Sequence, residues 1–128
     1  MQSNRKGKPD QAPRFFKVLM PLGKLFGRVD PLTLDLILED AQSLSSFGIN
    51  ATVLHLPGHS GGSIGVLTED GGLLCGDLFW NMWRPRLHPL IDDLEVARAS
   101  IQRLRELPIE TIHPAHGGPF PASGMPTV

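Results

Sequence analysis

A single cysteine, Cys75, leaves no partner for an intrachain disulfide, and such sparse usage fits a reducing compartment. No apolar run approaches the length of a bilayer-spanning helix. The basic start, Met1 to Lys8, leads into Pro9, Asp10 and Pro13 rather than a signal-peptide core, so the expected location is cytoplasmic, with no membrane partner. An excess of one charge is missing too: 12 Lys+Arg against 13 Asp+Glu leaves a formal charge of -1. That balance gives no electrostatic case for nucleic acid or an acidic membrane surface. Internal repeats and low-complexity tracts are absent, and no histidine precedes residue 55.

What is present suits one small domain: 128 residues, 41% of them hydrophobic, are enough for a core. The tract 1–13 is polar and rich in breakers and reads as a flexible tail, which leaves 14–128 as a single partial domain. Phe15, Phe16, Val18, Leu19 and Met20, resumed at Leu25 and Phe26, form an apolar cluster that reads as a short helix or an arm. Leu34, Leu36 and Leu38 alternate with Asp35, Ile37 and Glu39 and predict a strand. Further strands are predicted at 51–56, 63–68 and 73–76. The last two are joined by the hairpin turn Glu69-Asp70-Gly71-Gly72, and together they make an antiparallel meander.

A helix is predicted at about 92–107. Asp92 and Glu95 have capping-box spacing, Leu94, Ala97, Ile101 and Leu104 form an apolar stripe, and Pro108 ends it. A short strand over 109–113 then leads into the loop that carries His116. The fold class is α+β, a mostly antiparallel sheet with one packed helix.

Three stretches carry chemistry. They are Pro57-Gly58-His59-Ser60, Gly76-Asp77-Leu78-Phe79 and His113-Pro114-Ala115-His116-Gly117-Gly118, each a strand-like run that stops at a Gly or Pro turn beside a His or Asp. Neutral imidazole and ionised carboxylate are borderline-hard donors suited to zinc, manganese or iron, and short turns fix their direction.

In this order the three stretches resemble the C-terminal half of the metallo-β-lactamase superfamily, which includes glyoxalase II-like thioester hydrolases. The resemblance runs from about Asp35 to Phe120. It implies part of an αββα sandwich, with His59 a ligand of a first metal, Asp77 a bridging carboxylate and His116 a ligand of a second. It also implies zinc, or manganese or iron, as one or two ions in a complete site. The family's N-terminal His-x-His-x-Asp-His motif, which supplies the other ligands and the proton-handling Asp, has no counterpart here. Trp80, Trp83 and Arg84, just after the Gly-Asp-Leu-Phe turn, are candidates to line a substrate cleft, and the tryptophans are equally suited to covering core.

Each site residue has a plain structural alternative. His59 can brace a Gly-rich turn, Asp77 can cap a turn, and His116 can be a surface imidazole. His55 reads as an edge histidine, His88 and His113 as loop or strand-end residues within reach of a second ligand shell, and Cys75 as a small buried hydrophobe. Two functions stay open. One is a metal-dependent hydrolase of ester, thioester or phosphoester substrates, incomplete as this chain and acting on a small-molecule substrate. The other is a non-catalytic remnant or assembly module that keeps the fold. Half a sandwich should expose an apolar sheet face, so a homo-oligomer or a complementing N-terminal half is the expected partner.

Overall fold

The structure is a computed structural model, and it describes residues 33–128. The expectations for the 1–13 tail and for the cluster from Phe15 to Phe26 lie outside the described residues. Leu38–Val128 forms one compact unit. Its elements are β1 (Ala51–His55), β2 (Ile64–Thr68), β3 (Gly72–Asn81), β4 (Arg86–Leu87), the helix α1 (Leu94–Leu104), β5 (Thr111–Gly117) and β6 (Phe120–Pro121). The strands form one sheet in the order β1-β2-β3-β5-β6, with β4 paired to β3.

Neighbouring strands are antiparallel except for β3 and β5, which run parallel. The meander expected from the sequence therefore holds only as far as β4. A parallel return needs a crossover longer than a hairpin, and α1 provides it. The turn into β3 forms where Gly71 and Gly72 predict it. The Thr68 hydroxyl donates to Asp70 Oδ1 and accepts from the Gly72 amide at 2.9 Å.

The strand predicted over Leu34, Leu36 and Leu38 does not form. The outer edge of β1 is taken by residues 41–44: the Ala41 and Leu44 amides donate to Val53 and Ala51 carbonyls, and Ser43 bridges Thr52. An apolar alternation without a free edge to pair with has no ladder to join.

α1 starts and stops inside its predicted limits of about 92–107. The N-cap is Asp93, whose carboxylate accepts from the Val96 amide at 3.1 Å, so the capping box expected of Asp92 and Glu95 is replaced by a simple cap. The helix ends at Leu104 because Pro108 offers no amide and keeps Leu107 out of the helical region. Its buried face is Ala97, Ser100, Ile101 and Leu104. Leu94, expected in that stripe, is exposed, and Ser100 is admitted because its hydroxyl donates to the Pro57 carbonyl at 2.7 Å.

This face packs on Leu54, Leu56, Leu73, Cys75, Leu78 and Phe79 of the sheet side, closed at one end by Ile109, Ile112 and Phe120. Each fully buried Leu or Phe there contributes about 1.5–3 kcal/mol relative to exposure. Val53, Val66 and Leu74 are cross-strand neighbours and so share the opposite face. That face is only partly covered: Leu74 is 51% and Ile64 43% exposed. Among the described residues no helix is long and apolar enough to cross a membrane.

Candidate metal centre

Three local devices bring the polar side chains to one rim of the sheet. The first is the loop after β1. Gly58 lies so close to α1 that a Cβ would stand 2.6 Å from the Ala97 Cβ, and its carbonyl accepts from the amides of Asp92 and Asp93 at 2.9 and 3.0 Å. Only glycine permits that approach. His59 follows directly, and its Nδ1–H donates to the Leu90 carbonyl at 2.5 Å.

The second device lies inside β3, which continues through Gly76-Asp77, past the predicted strand end at residue 76. Its pairing with β5 is irregular: Gly76 sits opposite Pro114 and Trp80 opposite His116, four residues of β3 against two of β5. Gly76 takes φ +55 at this bulge. Bulges redirect a side chain without ending the sheet, and here the redirected group is Asp77. The third device is the parallel strand β5, which carries His116 to the same height as Trp80.

Asp77 is the hub. His116 Nε2 is 3.3 Å and His88 Nε2 3.9 Å from its Oδ1, and His59 Nε2 is 3.7 Å from its Oδ2. Donor atoms of Asp77, His88 and His116 all lie within 4.8 Å of one another. Oδ1 is buried and has no hydrogen-bond partner among the described residues, although two imidazole nitrogens stand near it. A carboxylate oxygen left so costs free energy unless a cation completes it. The observed separations bracket the spacing of about 3.4 Å expected between ligand atoms around an ion bound at 2.0–2.1 Å. The donor set, imidazole and carboxylate, fits a divalent transition metal.

Of the residues singled out from the sequence, Asp77 and His116 belong to this cluster, and His59 stands beside the other carboxylate oxygen of Asp77. His88 joins them, a residue the sequence marked only as within reach of a second shell. Short pairing of β4 with β3 puts it there, with its amide donating to the Leu78 carbonyl at 3.1 Å. His88 is 7% exposed, and burial, with the neighbouring His59 imidazole adding to it, lowers its pKa below the usual histidine value. Its ring meets that of His59 edge-on at 4.9 Å and lies 5.4 Å from Trp80, which in turn lies 5.8 Å from His116. Trp80 therefore walls the cluster.

Trp83 is 85% exposed, and Arg84 is exposed with it in the loop between β3 and β4. The structure does not bring these two side chains into the cluster with Trp80. His55 Nε2–H donates to the Gly61 carbonyl at 2.9 Å, and His113 lies exposed on β5 opposite Leu74. Cys75 is buried in the core, and that burial pushes its thiol pKa up to about 11.

The family model described as the metallo-beta-lactamase superfamily matches residues 3–116. The chain belongs to the metallo-beta-lactamase superfamily. Hydroxyacylglutathione hydrolases of Yersinia pestis and Yersinia pseudotuberculosis are 40% identical to it over 76 residues, 59% of this chain and 29% of theirs. The metallo-beta-lactamase superfamily protein ST1585 of Sulfolobus tokodaii matches with a TM-score of 0.64 and 25% identity over 84% of this chain and 44% of that one. TTHA1623, solved in a di-iron-bound form, matches at 0.60 and 30% identity over 77% and 50%. The metallo-beta-lactamase family protein TTHA1429 of Thermus thermophilus matches at 0.65 and 25% identity over 85% and 41%. This metallo-beta-lactamase chain therefore spans half or less of the length of these relatives.

Proposed function

We propose that the chain carries one pole of a metal-dependent hydrolase site, with His59, Asp77 and His116 as ligands and a thioester or ester of a small molecule as substrate. The observation that carries this reading is Asp77 Oδ1, buried and without a hydrogen bond amid imidazole nitrogens. The likeness to hydroxyacylglutathione hydrolases supports the thioester over a phosphoester. Zinc, manganese or iron fit the donors, and the di-iron form of TTHA1623 supports a two-ion site in a complete protein.

A bound ion would polarise the scissile carbonyl and bring the pKa of an attached water to about 7. The chain's own groups do the rest. In its neutral form His59 offers a lone pair at Nε2, since its Nδ1–H is committed to the Leu90 carbonyl. Asp77 offers two oxygens facing different imidazoles, the arrangement needed to hold two cations at one carboxylate. Trp80 excludes water from one side and offers an apolar surface to an acyl group. Trp83 and Arg84 are exposed at the mouth of the same strand turn and are proposed to meet the substrate once a partner covers them.

A second reading is an assembly module that keeps the fold and binds metal without turnover, and the partly exposed sheet face at Ile64 and Leu74 supports it. In either case the partly exposed face of Ile64, Val66 and Leu74 is proposed to be covered by a second copy of the chain or by a complementing N-terminal half, in a reducing, cytoplasmic setting.

Metal analysis of the purified full chain, then assay on S-acyl glutathione and a generic phosphodiester, tests the first reading. Stoichiometric metal, with uptake lost in Asp77→Ala and His116→Ala, is the expected result. Turnover of the thioester favours the enzyme, metal without turnover favours the module, and failure to take up any of the three metals defeats both forms of metal binding.

A further inference from the structure

His59 and His88 are both anchored by one residue, Leu90, through its two opposite backbone groups. The Leu90 carbonyl, which can only accept, faces His59 Nδ1 at 2.5 Å, and the Leu90 amide, which can only donate, faces His88 Nδ1 at 3.2 Å. In neutral imidazole one nitrogen bears the proton and the other a lone pair. His59 must therefore carry its proton on Nδ1 and expose a lone pair at Nε2. His88 must accept at Nδ1 and carry its proton on Nε2, the atom 3.9 Å from Asp77 Oδ1.

We propose that His88 is a positioning residue that donates Nε2–H to Asp77 Oδ1, while His59, held in the opposite tautomer by the same Leu90, is a ligand. Oδ1 has two lone pairs and so has room for an ion and for this hydrogen bond together. Closing from 3.9 Å to hydrogen-bond length takes about 1 Å of movement. For His88 to bind metal through Nε2 it would have to move its proton to Nδ1, against the Leu90 amide, and two donors would then face each other.

The burial of His88, the restriction that a following proline places on its backbone, and its amide bond to Leu78 hold the ring on this line. A donor to a ligating carboxylate fixes which oxygen meets the ion and typically accounts for a 10- to 100-fold effect on metal affinity. The inference rests on the hydrolase reading for the ion, whereas the two tautomers belong to the metal-free chain as well.

The test is long-range ¹H–¹⁵N spectroscopy of the imidazoles in the full chain, metal-free and loaded with ¹¹³Cd, beside zinc titrations of His88 variants. The expected result is a proton on Nε2 of His88 and on Nδ1 of His59 in both states, with ¹¹³Cd coupling to Nε2 of His59 and none to His88. His88→Ala should lower zinc affinity about 10- to 100-fold at unchanged stoichiometry, and His88→Gln, which retains an N–H donor, should recover most of the loss. A proton on Nδ1 of His88, or ¹¹³Cd coupling at its Nε2, would overturn the proposal, as would zinc affinity within threefold of wild type in His88→Ala. If the protein takes up no metal, the hydrolase reading fails, and the metal-free spectrum still decides the tautomers.

Discussion

Replacing Gly117 with alanine should damage both the sheet and the metal centre, since this residue follows His116 at the end of β5. Gly117 has φ +94, and a Cβ built there falls far inside van der Waals contact distance of the Asn81 carbonyl group and 2.8 Å from the Met82 amide nitrogen. The obstacle is backbone, which cannot rotate away like a flexible side chain. Holding a non-glycine residue at such a φ costs about 1–3 kcal/mol.

Relief of the clash requires β5 to separate from β3 at the level of Asn81. That strains two hydrogen bonds, from the Gly118 amide to the Asn81 carbonyl at 3.2 Å and from Asn81 Nδ2 to the Gly118 carbonyl at 2.8 Å. Each is worth about 0.5–1.5 kcal/mol net, so the whole loss comes to about 2–6 kcal/mol. Against a typical domain stability of about 5–15 kcal/mol that is a severe change.

Urea unfolding followed by tryptophan fluorescence reads it, Trp80 being close to His116. Zinc titration of the folded fraction reads the displacement of His116. Gly118→Ala is the internal control, because a Cβ there meets nothing within 4 Å. Should Gly117→Ala unfold within about 0.5 kcal/mol of the Gly118→Ala control, below the range expected of these mechanisms, the close approach of β5 to β3 would be refuted.

Asp40 ties residue 40 to both β1 and α1: its Oδ1 accepts from the His55 amide at 2.8 Å and from Arg103 Nη1 at 2.9 Å. The His55 amide first and the Arg103 guanidinium second hold its carboxyl below the usual value of 3.8. A depressed carboxylate pKa stabilises the fold fully above the unfolded value and loses that contribution as pH falls through the folded one. Asp40→Asn should thus flatten the fall in stability below pH 4 while costing no more than about 1 kcal/mol at neutral pH, by thermal unfolding across that range. Cys75, buried and with its thiol pKa raised to about 11 by burial, should react with a thiol-specific chromogen at pH 8 only as the protein unfolds. Labelling of the native protein faster than unfolding would contradict its place in the core.

Much of the local structure was legible in the residues. Pro57-Gly58 after a β-rich run, Gly71-Gly72 between two apolar runs, and Pro108 after an amphipathic stretch each restrict the backbone by their own chemistry, and the elements begin or end near them. The motif order also pointed to the family and to His59, Asp77 and His116. The strand expected at Leu34, Leu36 and Leu38 was misread because alternation reports a face that could be buried, whereas a strand also needs an edge to pair with. The cap moved from Asp92 to Asp93 because the Gly58 carbonyl takes the amides of both residues and sets where the helix can start.

His88 is the clearest case of what the linear order withholds. Between Leu87 and Pro89 nothing in its neighbours distinguishes it from a loop histidine, and two residues of pairing between β4 and β3 carry it to Asp77. The chain by itself determined the turns, the helix, the crossover length and the donor types, because these depend on backbone preference and side-chain chemistry over a few residues. Tertiary structure alone decided the parallel partner of β3, the bulge that turns Asp77 outward, and the proton positions assigned through Leu90. Those depend on which groups meet across gaps of 2 to 39 residues, from Leu90 and His88 to Asp77 and His116, and only the packed fold selects such meetings.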